Sequence, residues 1–297
     1  MKKSAKGMCF SIIGGACWGL SGIMGKYLFD AKGLNAMWLV NIRLLLGGCF
    51  MLLLAFCLRK QRIFDVWKRK ETAGKQLIFS IFGMGACQLS YFLAVQYSNP
   101  GTATVLQYIA PVLILLFNLA VEKRLPQILE IVVLTAVVIG VFLLSTHGNI
   151  HGLVMTRQAL FWGLIAALTC AFYSIQPKSL LETFGSLETV GWGMLLGGIF
   201  LIPFVKIWEV PGIWDIQTFA LMAGVISIGT VIAFGCYLQG ILILGSVKGS
   251  IFGCVEPLVA TIFSVLLLGQ AFEGMDVLGI VCIIAGVTAL AVFGEKK

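Results

Sequence analysis

Two ionisable side chains, Arg43 and Glu256, lie deep inside otherwise apolar stretches of the sequence. Each is about eight or nine residues from the end of its stretch, or ~12–14 Å deep at ~1.5 Å per helical residue. A charge at that depth is costly in hydrocarbon and normally faces a bundle interior or a wet cavity. Glu256 precedes Pro257, whose ring removes the backbone donor that would reach the Gly253 carbonyl four residues back. A carboxylate beside a freed carbonyl suits a cation, an amine or a proton, so Glu256 is the candidate coupling residue. A hydrogen-bonded structural glutamate fits the same pattern. Arg43 reads as a structural residue that pairs with carbonyls or with Glu256, with direct substrate contact as the lesser reading.

Polar and aromatic residues recur at helical spacing around these charges. Gln88, Tyr91 and Val95 form one face, and Thr104, Gln107, Tyr108 and Pro111 a second. Thr169, Tyr173 and Gln176 form a third; Thr230, Phe234 and Tyr237 form a fourth. Residues three or four apart share a helix face, and a polar face in a bilayer must point at protein or water. Hydrogen bonding between helices is the competing account for each residue singly. For the set, a polar aromatic cavity fits better. The candidate substrate-contacting residues are Trp18, Gln88, Tyr91, Gln107, Tyr108, Tyr173, Gln176, Tyr237 and Glu256. Pro111, Pro257, Gly249 and Gly253 are candidate hinges, with Arg43 beside them in a structural role. Tyr91, Tyr237 and Trp18 offer faces for rings or cations. Such a cavity suits a small zwitterion or an aromatic metabolite. It lacks the Arg/Lys cluster that phosphorylated or nucleotide sugars need.

Other reactive residue types carry less. His147 and His151 are four apart with no third ligand near, so no metal site is expected. The nine cysteines all fall in apolar stretches without a CxxC pair and read as small packing residues. No Walker, GxSxG or HExxH motif occurs, which argues against ATP hydrolysis and against an intramembrane enzyme. No cofactor is expected.

The composition says what must hold these residues in place. Of 297 residues 59% are hydrophobic and 11% charged, with a mean hydropathy of +1.00. A soluble domain typically has about 25% charged residues, so a cytosolic enzyme, a disordered chain and a nucleic-acid-binding domain are excluded. A β-barrel would alternate apolar and polar residues over ~10-residue strands, whereas Leu44–Leu58 and Val255–Leu268 are nearly continuous. The expected class is therefore an all-α polytopic membrane protein with the lipid bilayer as its surroundings. Ten spans are expected, at 8–28, 35–58, 76–97, 101–121, 127–146, 158–178, 188–208, 217–241, 247–268 and 274–293. The first, which follows Lys2, Lys3 and Lys6, reads as a retained helix and not a signal peptide.

With the N-terminus inside, sixteen of the 21 basic residues fall on the cytoplasmic side. Lys26, Lys32, Arg157 and Lys206 fall outside, and Arg43 lies within a span. That bias predicts a cell-membrane protein with both termini cytoplasmic, and it accounts for the net charge of +8 without any nucleic acid. Trp67 and Phe64, in the basic 59–75 loop, read as anchors to the inner membrane surface.

The second half echoes the first. Pro111 matches Pro257, Gly140 matches Gly286, Gly83 matches Gly229 and Tyr91 matches Tyr237, all at an offset of 146. Gly47-Gly48 matches Gly197-Gly198 at 150, and Lys26 matches Lys178 at 152. A five-helix unit has an odd number of crossings, so its repeat must be inverted, over 1–147 and 156–297. Inverted repeats are a recurrent plan of secondary transporters.

At this point the chain resembles the EamA-type members of the drug/metabolite transporter superfamily over nearly its full length. The matching residues are Cys17-Trp18-Gly19, Arg43, Asn99-Pro100-Gly101-Thr102-Ala103, Tyr108-Ile109-Ala110-Pro111, Glu122 and Gly140. Glu256-Pro257, Leu268-Gly269-Gln270 and Gly286 complete the set. Gln270 stands where the family often has Glu, and Cys170 where Trp is common. The resemblance implies a ten-helix fold, a central cavity lined by spans 1, 3, 4, 6, 8 and 9, and span 2 with Arg43 at the cavity's periphery. It implies a secondary transporter moving a small metabolite, such as an amino acid or a related compound, outward across the inner membrane by alternating access. Efflux of drugs or organic cations is the alternative. An intramembrane enzyme and a membrane scaffold without transport are lower ones. Oligomeric state is left open.

Overall fold

The computed structural model describes residues 2–149, 153–244, 252–253 and 255–293. Its regular structure is helical throughout. The helices are α1 (Ser4–Lys32), α2 (Ala36–Leu58), α3 (Lys70–Tyr97), α4 (Pro100–Glu122) and α5 (Ile128–Thr146). There follow α6 (Arg157–Ile175), α7 (Ser186–Val205), α8 (Ile216–Ile241), α9 (Val255–Leu268) and α10 (Gly274–Leu290). The first eight are long and apolar enough to cross a membrane, and α9 and α10 are shorter apolar helices. The fold is the all-α polytopic one expected. The expected start of the ninth span, with Gly249 and Lys248, lies outside the described residues, as do His151, Cys254, Lys296 and Lys297.

Differences from the expected boundaries have local causes. α1 runs on to Lys32 because the polar groups of its last turns are satisfied. Lys26 pairs with Asp30 at 3.1 Å and donates to the Gln96 carbonyl at 3.1 Å. α3 starts at Lys70, one turn and a half early, with Lys75 bonded to Glu71 across one turn. α6 stops at Ile175, and a separate short helix, Lys178–Phe184, precedes α7. α4 begins where Asn99 accepts the Thr102 N–H at 2.9 Å with Pro100 in the first turn. The Asn-Pro-Gly motif is thus a helix start.

Three helices of the first half meet helices of the second antiparallel, two of the pairs reciprocally. A Cβ on Gly48 would come within 2.5 Å of the Leu195 backbone nitrogen, while Gly198 lies against Leu45. The offset of 150 that relates Gly48 to Gly198 also relates Leu45 to Leu195. α5 and α10 cross the same way: Gly140 faces Ile283 and Gly286 faces Val137, both pairs related by 146. α1 runs against α8, with Gly7 on Ile243 and Gly14 on Tyr237. Without a hydrophobic effect between helices in lipid, such close backbone contact supplies the packing energy.

Tryptophan clamps join the halves at opposite ends. At one end Trp38 donates its indole N–H to the Ile207 carbonyl at 3.1 Å and sits edge-on to Trp214, ring centres 5.4 Å apart. There Lys32 also pairs with Asp215 at 2.6 Å and accepts the Ile213 N–H at its carbonyl. The Lys32 ammonium, with the Thr218 N–H, holds the Asp215 carboxyl down at about 2. At the other end Trp192 donates to the Ile63 carbonyl at 2.8 Å and stands edge-on to Trp67, centres 5.2 Å apart. Trp67 is therefore a packing residue of the bundle and not a headgroup anchor: its ring is drawn inward by Trp192. Phe64 remains half exposed.

His147 ends α5 in the left-handed conformation, φ 51°. Its Nε2 lies 2.7 Å from Asp276 and its Nδ1 3.3 Å from Glu273. Two carboxylates facing both ring nitrogens favour the imidazolium, which donates from each. The hydrogen bond to Asp276 accordingly raises the His147 pKa. A raised folded-state pKa contributes stability that is complete below the unfolded value of ~6.5 and is lost as pH climbs through the folded one. His147→Asn, which tolerates the left-handed cap, should lower the thermal midpoint most in acid, with the gap closing as the pH rises. A separate stability measurement checks the α2–α7 contact. Gly48→Val should cost about 1–3 kcal/mol by overpacking against backbone. Gly74→Ala, which meets nothing within 4 Å, should be neutral or stabilising.

Candidate functional site

The helical halves enclose a cavity of about 430 Å³. Trp18, Gln88, Tyr91, Gln107, Tyr108, Tyr173, Tyr237 and Glu256 all line it, together with Pro111. Gln176 does not: as the C-cap of α6 it donates its amide to the Lys75 carbonyl at 2.9 Å, tying α6 to α3. Gly249 lies outside the described residues. Gly253 and Pro257 are buried beside the cavity, next to Glu256.

Arg43 is the main departure from the sequence reading, because it is part of the cavity wall. α2 therefore contributes to the lining, and α10 does too, through Val287 and Leu290. The arginine is 3% exposed. Its Nε donates to Thr230 Oγ1 at 2.9 Å, Nη2 to the Gly229 carbonyl at 2.8 Å and Nη1 to Gln88 Oε1 at 3.2 Å. The Phe92 ring lies 5.0 Å from the guanidinium carbon. Among the described residues, Arg43 and Glu256 are the two charges in the lining.

A local change of helix type explains how α8 meets Arg43. Ser227–Ile232 is π-helical, and so is Phe79–Gly85 in α3. The wider turn of a π segment leaves backbone groups without their usual partners and recurs at functional sites. In α8 the Gly229 carbonyl takes Arg43 as its partner. Gly47, one turn from Arg43, has no side chain to hold Thr230 away: a Cβ there would meet the threonine methyl at 2.8 Å.

α4 is interrupted at Tyr108-Ile109, between Pro100–Gln107 and Ala110–Glu122, with Pro111 in the first turn of the second piece. The interruption brings Tyr108 to the segment just before α9, where its hydroxyl donates to the Gly253 carbonyl at 3.2 Å. This is the carbonyl that Pro257 frees, so protein already occupies the acceptor that the sequence left open for a cation. Tyr91 is fixed by Thr104, hydroxyl to hydroxyl at 3.0 Å. Trp18 leans on Tyr237, ring centres 4.9 Å apart, and stands edge-on to Phe234 at 5.0 Å. Tyr173 stacks on Phe79. The walls are thus aromatic surfaces held by protein contacts, with the guanidinium of Arg43 and the carboxyl of Glu256 among them.

Sequence reasoning missed Met84, Cys87 and Cys170 in the lining. Their signal was present: Cys87 and Met84 share the face of Gln88 and Tyr91, and Cys170 is three residues from Tyr173. Reading cysteine as apolar filler concealed it.

This fold and cavity define a multi-pass helical membrane protein with a chamber between its two halves. Comparison with known proteins narrows the class. The profile of the EamA-like transporter family matches residues 5–146 and again 157–292, and the chain belongs to that family. It is 35% identical over 301 residues to the uncharacterized inner membrane transporter YicL of Salmonella typhimurium, covering 100% of this chain and 99% of that one. It is 23% identical over 265 residues to the threonine/homoserine exporter RhtA of Salmonella typhimurium, covering 88% and 83%. A solved crystal structure superposes with a TM-score of 0.61 at 16% identity, covering 97% and 96%, which shows the shared fold. The protein is a multi-pass inner-membrane transporter of this family.

The Tyr108 contact is open to a direct check. Tyr108→Phe leaves the Gly253 carbonyl without that donor and should cost about 1–3 kcal/mol in thermal or denaturant unfolding. If the carbonyl instead awaits a ligand, the variant unfolds as the wild type does.

Proposed function

We propose that the protein exports a small zwitterionic metabolite, an amino acid or a close relative, by alternating access. The observation that carries this reading is the cavity itself. The guanidinium of Arg43 and the carboxyl of Glu256, a cation and a group that becomes an anion on losing its proton, share a chamber walled by Trp18, Tyr91, Tyr108, Tyr173 and Tyr237. A zwitterion matches that charge pattern, and its side chain meets aromatic surface. The similarity to a threonine/homoserine exporter, though distant, points the same way. Two five-helix halves, inverted with respect to each other over 1–147 and 156–297, rock about the reciprocal α2–α7 and α5–α10 contacts and open the chamber to each side in turn. The bias of basic residues toward one side supports cytoplasmic placement of both termini. Glu256 carries the coupling proton.

A second reading rests on the same carboxylate. Glu256 with aromatic walls also suits an organic cation, and efflux of such compounds is the alternative.

Both readings are tested in proteoliposomes with L-threonine, L-homoserine, L-phenylalanine and tetraphenylphosphonium, with and without a pH gradient. The first reading expects gradient-dependent flux of at least one amino acid and none of the cation. Glu256→Gln should abolish the response to the gradient while leaving exchange down a concentration gradient. Gradient-driven flux that survives in this variant removes Glu256 from coupling. Flux of tetraphenylphosphonium alone selects the second reading.

A further inference from the structure

The bonding of Arg43 divides its guanidinium into a held side and an available side. Nε and Nη2 are fixed by Thr230 and Gly229, both from the π segment of α8. Those two bonds set the plane of the group. The Nη1 side faces Gln88, at 3.2 Å the longest of the three contacts. Gln88 is itself weakly anchored at its other end: its Nε2 donates to the Met84 sulfur at 3.9 Å, and a thioether is a poor acceptor. Arg43 and Gln88 both line the cavity. A guanidinium has five N–H groups, and three are engaged here among the described residues.

We infer that Arg43 and Gln88 together form a receptor for a carboxylate group, with Gln88 as the part that gives way. A carboxylate entering from the cavity takes the Nη1 position now filled by the Gln88 oxygen. The Gln88 amide nitrogen exchanges its sulfur contact for the second carboxylate oxygen. The exchange replaces a neutral acceptor by a charged one on an ion that has little water near it, and charge-assisted bonds are the stronger kind. A planar monoanion fits one guanidinium and one amide. A phosphate dianion would want several cations, and the described lining offers one. The inference rests on the transport reading and sharpens it, assigning the carboxylate of a zwitterion to Arg43 and Gln88 and leaving Glu256 for its amine. It also couples recognition to movement, since any pull on the guanidinium is delivered to the π segment of α8.

The experiment compares acids with their carboxamides. Flux is measured in proteoliposomes for L-phenylalanine against L-phenylalaninamide and L-threonine against L-threoninamide. Thermal unfolding in detergent is followed in parallel with 3-phenylpropionate. The wild type should favour acids over amides by about 10- to 100-fold in kcat/KM, the discrimination expected of a hydrogen bond to a charged group. Gln88→Leu should lose most of that preference through a higher KM with kcat little changed. Arg43→Gln should bring the ratio near one, and Arg43→Lys should restore part of it. 3-Phenylpropionate should raise the unfolding temperature of the wild type and not of Gln88→Leu. Should Arg43→Gln fail to fold, having lost its brace on α8, the Gln88 variant carries the test. Amides carried as well as acids, or protection by 3-phenylpropionate that is equal in wild type and Gln88→Leu, overturns the inference and leaves amino-acid transport standing. Protection confined to the wild type with no flux of any amino acid does the reverse. Neither flux nor protection overturns both.

Discussion

A guanidinium at the centre of an apolar bundle has to find its acceptors in the protein, and much of this architecture follows from where Arg43 finds them. Two lie on α8, at Gly229 and Thr230, and one on α3, at Gln88. Burying an ion without partners costs far more than the few kcal/mol by which a fold is stable. The approach of α8 to α2 is therefore tightly specified. Gly47 is small because Thr230 must come close, and α8 is π-helical at Ser227–Ile232 where its carbonyl turns outward. Gly48 and Gly198 then bring α7 onto the next part of α2. The charge on one helix thus sets the spacing of two others, α3 and α8.

The second π segment shows how the two halves differ. Phe79–Gly85 on α3 stands about where a shift near 147 residues puts Ser227–Ile232 on α8. Each faces the α2-type helix of the other half. The contact of Gly47 with Thr230 has its counterpart in Gly197 against the Ser80 carbonyl, related by the same offset of 150. The chemistry is not repeated. The position matching Arg43 at that offset is Gly193, and the space is filled by the Phe79 ring, which would lie 2.7 Å from a Cβ there. One half braces its partner with an ion, the other with an aromatic ring. Each half supplies one of the two cavity charges: Arg43 from the first, Glu256 from the second.

Helix number, the start of α4 and the candidate cavity faces were legible in the sequence because each rests on a local signal. Apolar length marks the spans, Asn99-Pro100 a helix start, and spacing by three and four the faces of Gln88-Tyr91 and Phe234-Tyr237. The errors came from properties that are not local. Gln176 continues the period of Thr169 and Tyr173, yet the helix ends one residue before it, and its amide turns to the Lys75 carbonyl. Trp67 sits among basic residues and has the composition of a headgroup anchor, but Trp192, 125 positions away in the chain, holds its ring. The carbonyl freed by Pro257 was correctly located at Gly253, whereas its partner Tyr108 depends on a break in a different helix. Arg43 was placed at the rim because the family resemblance puts span 2 at the cavity's periphery. No pattern in one helix reports that a long side chain reaches past its neighbours into the cavity.

The low charge content acquires a mechanical meaning from this. Among the described residues the lining offers one guanidinium and one carboxyl, so on the proposed reading a zwitterion can match both without importing a counterion. An extra lysine or aspartate in the lining would leave an unmatched charge in every state without a third partner, at a desolvation cost the bundle would carry throughout the cycle. The uncharged remainder of the lining is then a requirement of the same kind as the charges. Tyr91, Tyr108 and Gln88 interact with protein groups through dipoles, which cost far less to rearrange than ions. If the chamber opens first to one side and then to the other, as proposed, it is better built from partners that can let go. In this wall the two shorter of the Arg43 contacts hold the helix frame, and the longest faces the cavity.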